Sequence, residues 1–182
     1  DFFTPLEEAL DLKVPSFNII AAMTGGGKTN LLLHLLKHNA RKFHKIYIFC
    51  PTIDLQEAYR NTVPRKFLIT EPSIERIEAI IKEQEKNKKQ KVALVLDDCM
   101  CVIEMHKSNI LDRLASSGRH FRITTFCLLQ YMNKVSPVIR DNSRTLFVGQ
   151  IKQHNGGLKT CIFSLSSPLK LNLTKVKSFV NS

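Results

Sequence analysis

At 182 residues the chain has the length of a single domain with room for a substantial core. A hydrophobic content of 43% excludes a disordered chain, and no apolar run reaches the roughly 18–20 residues of a membrane span. The formal net charge of +11, from 27 basic and 16 acidic residues, suits a polyanionic partner.

The first residues, Asp1-Phe2-Phe3-Thr4-Pro5, lack a basic stretch followed by an apolar core, so no secretory leader is expected. Thr4 reads as the cap and Pro5 as the first turn of a short helix over residues 4–10. An apolar run of strand length follows at residues 17–21. Next comes Ala22-Met23-Thr24-Gly25-Gly26-Gly27-Lys28-Thr29, then Asn30 and an apolar stretch that reads as a buried helix to residue 36. Strand, glycine loop and helix are the setting of a phosphate-binding P-loop, with Ala22 where the pattern G-x-x-x-x-G-K-[ST] begins with glycine. The glycines let the backbone approach a triphosphate, and the helix start adds its positive dipole end. In this pattern Lys28 meets the β- and γ-phosphates of ATP, and the Thr29 hydroxyl binds Mg²⁺.

Residues 45–50 form a β-branched and aromatic strand stopped by Pro51. A short helix over 54–61 and a strand over 66–70 follow. Ser73 caps a helix whose Ile74, Ile77, Ile80 and Ile81 share one face. Its charged tail, residues 82–91, reads as a solvated helix end and loop. Residues 92–96 and 123–129 are continuous apolar strands without alternation, the mark of burial on both faces in a parallel sheet. A helix near 105–117 lies between them. Strands alternating with helices predict an α/β domain with a mainly parallel sheet. Residues 145–151 and 160–165 flank Asn155-Gly156-Gly157 and predict a C-terminal antiparallel hairpin. One domain over 1–182 is expected, with its core at about 15–150 and the hairpin and a basic segment at about 145–182.

Cys50, Cys99, Cys101, Cys127 and Cys161 show no paired C-x-x-C spacing, so they read as reduced, mostly buried thiols of a cytosolic protein. His34, on an apolar helix, reads as structural. No acidic residue follows Asp141, whereas Arg144, Lys152, Lys159, Lys170, Lys175 and Lys177 do. A segment of one sign fits a phosphate backbone.

The second half of a nucleotide site follows the strand at 92–96. Asp97 and Asp98 stand at its carboxyl end, where open α/β sheets place ligands. Asp97 is the candidate Mg²⁺ group and Asp98 the candidate for orienting or deprotonating water. Neighbouring strand residues point to opposite faces, so two roles are expected for the pair. Gln130 ends the next strand and is placed to sense the γ-phosphate. Arg119, within Gly118-Arg119-His120, is the candidate for stabilising charge on a neighbouring subunit's nucleotide, with Arg140 and Arg144 as rivals.

The series Gly25-Gly26-Gly27-Lys28-Thr29, Leu96-Asp97-Asp98, Gly118-Arg119-His120, Leu129-Gln130 and Ile139-Arg140-Asp141-Asn142 resembles the genome-packaging ATPases of poxviruses and other large DNA viruses, within the FtsK–HerA superfamily. The resemblance covers about residues 15–150. It implies a RecA-like core, ATP hydrolysis with Mg²⁺, and a homo-oligomeric ring that pumps double-stranded DNA into a capsid without reading sequence. A capsid or portal-site protein is the implied docking partner. The implied location is the host-cell cytoplasm or viral factory, or the virion itself. By the same resemblance Asp98 stands where many cellular relatives carry Glu, Gln130 is the sensor, and Arg119 or Arg144 is the trans arginine. A cellular FtsK–HerA-type pump and a slowly hydrolysing nucleotide-binding assembly protein are the other readings.

Overall fold

The computed structural model describes residues 10–52, 57–87, 89–99, 108–130 and 135–149, and the backbone of residues 151–152 and 158–159. Its centre is a parallel sheet of six strands in the order β3-β2-β4-β5-β1-β6. These are β1 (Phe17–Ala21), β2 (Lys45–Phe49), β3 (Leu68–Ile69), β4 (Val92–Asp97), β5 (Ile123–Leu129) and β6 (Thr145–Val148). The helices are α1 (Lys28–His38), α2 (Glu57–Arg60), α3 (Ile74–Lys86), α4 (Ile110–Ser117) and α5 (Pro137–Asn142).

The apolar runs become strands because both faces of the sheet are covered. Alternate residues divide between two cores. Ile20, Val95, Phe126 and Leu128 pack with Leu32, Leu35 and Leu36 of α1 and with Tyr59 of α2. Ile19, Leu94, Leu96 and Cys127 pack on the other face with Ile77, Ile80 and Ile81 of α3 and with Leu111, Leu114 and Ile139. Ser73 caps α3 as expected, its hydroxyl accepting from the Arg76 amide at 3.3 Å. Buried Asn39 at the end of α1 holds the entering chain: its Oδ1 accepts from the Leu12 amide and its Nδ2 donates to the Leu10 and Leu35 carbonyls.

Several expectations are met closely, β1 and β5 among them. Others shift. Of the helix near 105–117 the described part runs over Ile110–Ser117, with Asn109 as its N-cap; residues 105–107 lie outside the described residues. Of the strand at 66–70 only Leu68–Ile69 pairs, because a 3-10 turn occupies Arg65–Phe67. The first arm expected for the hairpin is instead β6, paired in parallel with β1 at Asn18↔Thr145 through Ala21↔Val148. Its apolar side chains Leu146 and Phe147 complete the two cores, and that burial outweighs the turn signal that follows. Beyond it, Ile151–Lys152 pairs antiparallel with Leu158–Lys159. The expected second arm at 160–165, the Asn155-Gly156-Gly157 turn and residues 4–9 of the helix expected over 4–10 lie outside the described residues. Cys50, Cys99 and Cys127 are buried free thiols; Cys101 and Cys161 also lie outside the described residues. His34 is exposed, not packed in the core.

Phe126 is fully buried at the middle of β5. Phe126→Ala is expected to cost about 3–5 kcal/mol of stability, read as a lowered midpoint in urea unfolding with little change in slope.

Candidate nucleotide-binding site

The strand order fixes the site. Because β5 lies between β1 and β4, the loop after β1, Gln130 after β5 and Asp97-Asp98 at the end of β4 stand side by side. The register Ala21↔Leu129 and Asp97↔Leu128 brings all three strand ends to one level.

Residues 22–29 join β1 to α1. Gly25 and Gly27 take φ of 75° and 80°, a left-handed backbone that a side chain disfavours. Gly26 is required for a different reason: a Cβ there lies 2.9 Å from the Met23 carbonyl oxygen. Its amide donates to that same carbonyl at 3.0 Å and closes the turn. Gly27 precedes the first residue of α1, so the helix's unpaired amides open onto the loop. Thr24 and Asn30 are exposed, and Met23 and Thr29 half-buried. Lys28 is only 8% exposed; its ammonium donates to the carbonyl oxygens of Ala22 at 2.9 Å and Met23 at 3.2 Å.

The loop's root is clamped on both sides. The Ala22 amide donates to the Leu129 carbonyl at 3.0 Å, and the Gly149 amide donates to the Ala21 carbonyl at 2.8 Å. Ala22 itself is buried. A Cβ on Gly149 would lie 2.9 Å from the Ala22 methyl and 3.2 Å from the Gly26 carbonyl oxygen. The methyl that departs from the usual glycine is therefore housed by the bare backbone of Gly149, a residue the sequence reading passed over.

Asp97 keeps the parity of Ala93 and Val95, so its side chain faces α1. It is 2% exposed. Its Oδ2 accepts from the Tyr59 hydroxyl at 2.6 Å and lies 4.0 Å from Cys50 Sγ. Tyr59, fully buried on α2, also shares a hydrogen bond with Thr29. Burial first, then the Asp97 charge, pushes its phenol far above the ordinary range, so it stays a protonated donor. Nothing in the sequence singled out Tyr59.

Asp98 departs from the simple alternation expected of a strand. Its φ of 53° ends β4 in a left-handed turn. The half-buried carboxylate accepts from Gln130 Nε2 at 3.2 Å. The two candidates for handling water and sensing phosphate thus touch. Such a strained φ at a non-glycine residue needs support from its surroundings, and the Gln130 bond supplies part of it.

The arginines lie elsewhere. Arg119 precedes β5 and Arg144 precedes β6, both exposed at the amino-terminal edge of the sheet. Arg140 is in the last turn of α5. The seven residues of β5 separate Arg119 from Gln130, a span of about 23 Å at ~3.3 Å per residue. Arg119 cannot reach the nucleotide site of its own chain.

Hard oxygen donors gather at one point here: the Thr29 hydroxyl and the Asp97 carboxylate, linked through Tyr59. That donor set fits Mg²⁺, which takes few protein oxygens and completes its shell with water and phosphate. Among the described residues no group of three or more His, Cys, Asp or Glu could hold a metal ion. No helix among them is long and apolar enough to cross a membrane.

The sequence matches the family described as Poxvirus A32 protein over residues 9–180. Among curated proteins it is 24% identical over 136 residues to "Uncharacterized protein 015R" of Frog virus 3 (isolate Goorha), covering 71% of this chain and 42% of that protein. It is 25% identical over 134 residues to "Uncharacterized protein 088R" of Invertebrate iridescent virus 3, covering 71% and 51%. The chain thus spans about half the length of these relatives. Among solved structures, the genome packaging NTPase B204 from Sulfolobus turreted icosahedral virus 2, in complex with AMPPCP, superposes with a TM-score of 0.57 at 13% identity, covering 80% of each chain. The cytoplasmic domain of EssC gives a TM-score of 0.60 at 14% identity, covering 90% of this chain and 42% of the other. These likenesses establish the P-loop ATPase fold.

Gly149→Ala is expected to cost about 1–3 kcal/mol through overpacking and to weaken nucleotide binding. Adding Ala22→Gly should return part of both losses, a coupling that a double-mutant cycle in urea unfolding and nucleotide titration measures.

Proposed function

The chain belongs to the Poxvirus A32 protein family, and from that premise we propose that it is an ATP-hydrolysing motor that moves double-stranded DNA into a viral capsid. What carries the proposal is the meeting of the P-loop, Asp97 and the Asp98–Gln130 pair at three adjacent strand ends.

ATP binds with its phosphates on the amides of the glycine loop and the start of α1. Lys28, already folded over the loop on two neutral carbonyls, exchanges them for the charged β- and γ-phosphate oxygens, which are stronger acceptors. Thr29 and Asp97 would hold Mg²⁺, which would supply positive charge against the phosphates. Asp98, oriented by the Gln130 amide, takes the proton of the attacking water. Gln130 then carries the presence of the γ-phosphate to Asp98 through the bond between them.

The chain works as a homo-oligomeric ring. Arg119 lies too far from its own loop to act there, which suits an arginine that completes a neighbour's site, with Arg144 and Arg140 as its rivals. The DNA is held by phosphate contacts without base readout. Supporting that partner, exposed Lys37, Arg41, Lys89 and Arg122 crowd the amino-terminal edge of the sheet. Nearby Asp11, Glu83 and Glu85 are already engaged by Lys42, Lys45 and Arg113. The sequence after Asp141 carries basic residues and no acidic one. The ring docks on a capsid or portal-site protein and works in the host-cell cytoplasm or viral factory, or with the virion.

Lys28→Ala is expected to lower ATP turnover by about 100-fold or more, in a phosphate-release assay with and without duplex DNA. Undiminished turnover sinks the site assignment. Mixing Lys28→Ala protein with Arg119→Ala protein should restore part of the activity that each lacks alone. Absence of recovery, with both proteins assembled by light scattering, removes Arg119 from the trans role. Lys89→Glu combined with Arg122→Glu should weaken binding to duplexes of any sequence about 10-fold and flatten the salt dependence.

A further inference from the structure

Tyr59 lies outside every motif of the site, yet its hydroxyl is at the centre of the oxygen donors. It donates to Asp97 Oδ2 at 2.6 Å and shares a hydrogen bond with Thr29. The ring is fully buried beside α1, so it has no freedom to leave this place without repacking the core. Asp97 is itself 2% exposed. A carboxylate on a strand end can rotate about its last bond. One short, charge-assisted hydrogen bond to one oxygen removes that freedom.

We propose that Tyr59 is the positioning residue of the cation site: its hydroxyl sets the Asp97 carboxylate and the Thr29 hydroxyl in the geometry that Mg²⁺ with nucleotide requires. The proposal rests on the reading of the P-loop as an ATP site. Outer-shell partners that orient a ligand act on metal affinity without touching the metal. Tyr59 therefore acts on how much Mg²⁺ is needed for nucleotide to bind, not on the chemical step once the site is filled.

The test is an equilibrium one. The full chain is titrated with Mg²⁺ in the presence of a fluorescent, non-hydrolysable ATP analogue, as wild type and as Tyr59→Phe. Phe keeps the ring and its packing and removes only the hydroxyl. The variant is expected to need about 5–10-fold more Mg²⁺ for half-maximal binding. Its nucleotide binding in EDTA should stay within about 2-fold of wild type. In an Asp97→Asn background the same substitution should add nothing. A Tyr59→Phe titration that overlays the wild type overturns the role of Tyr59. A wild type whose binding ignores Mg²⁺ overturns the ATP-site reading instead.

Discussion

Two main-chain hydrogen bonds hold the whole site together: Ala22 N–H to the Leu129 carbonyl, and Gly149 N–H to the Ala21 carbonyl. They pin the root of the glycine loop between β5 and β6, one on each side. Without them the loop would hang from β1 alone, and its amides would share no frame with Gln130 or Asp97. The clamp needs the backbones to approach closely, which is why Gly149 and the small Ala22 meet. The parallel sheet supplies the rest. Every strand runs the same way, so every carboxyl end arrives at one edge, and β5 between β1 and β4 closes the row.

Within that frame, charge is handled by pairing before any ligand enters. Lys28 is buried but rests on two carbonyls. Asp97 is buried but accepts from Tyr59. An unpaired charge at these depths would cost several kcal/mol. The pairs are with neutral partners, so each can be exchanged for an ionic one when phosphates and a cation arrive. The site is held ready by weak partners instead of being locked by strong ones. A direct Lys28–Asp97 ion pair would have been harder to open.

Much of this was legible in the sequence. β1 and β5 were found residue for residue because burial on both faces leaves an unbroken apolar run with sharp ends. The glycine loop and Asp97 were legible because their chemistry is local. What escaped depends on distant parts of the chain. Residues 145–148 carried the same apolar character in a hairpin as in a parallel strand, and only the open side of β1 decides between them. The alternation argument served Asp97 and misled for Asp98, since the strand ends one residue earlier, at a left-handed φ. Tyr59 is 38 residues from Asp97 in the chain, and a lone Tyr on a short helix has no signature. Gly149 did carry a signal: a small residue directly after a strand beside the loop strand, at the point where backbones crowd.

The placement of the arginines constrains any assembly. All three precede strands or lie before one, and Arg119 and Arg144 are at the edge opposite the loop. To serve its own nucleotide Arg119 would have to cross the length of β5, about 23 Å at ~3.3 Å per residue, which no side chain spans. If one of them completes a site, the amino-terminal edge of one copy must face the carboxyl-terminal edge of the next. Such contacts are head-to-tail, and a head-to-tail contact that closes makes a ring. The charges favour that orientation. One edge is crowded with lysine and arginine, and the other carries half-buried Asp98 and would carry the triphosphate. In such a contact bound ATP would add negative charge opposite the basic edge, and the interface and the nucleotide would strengthen each other.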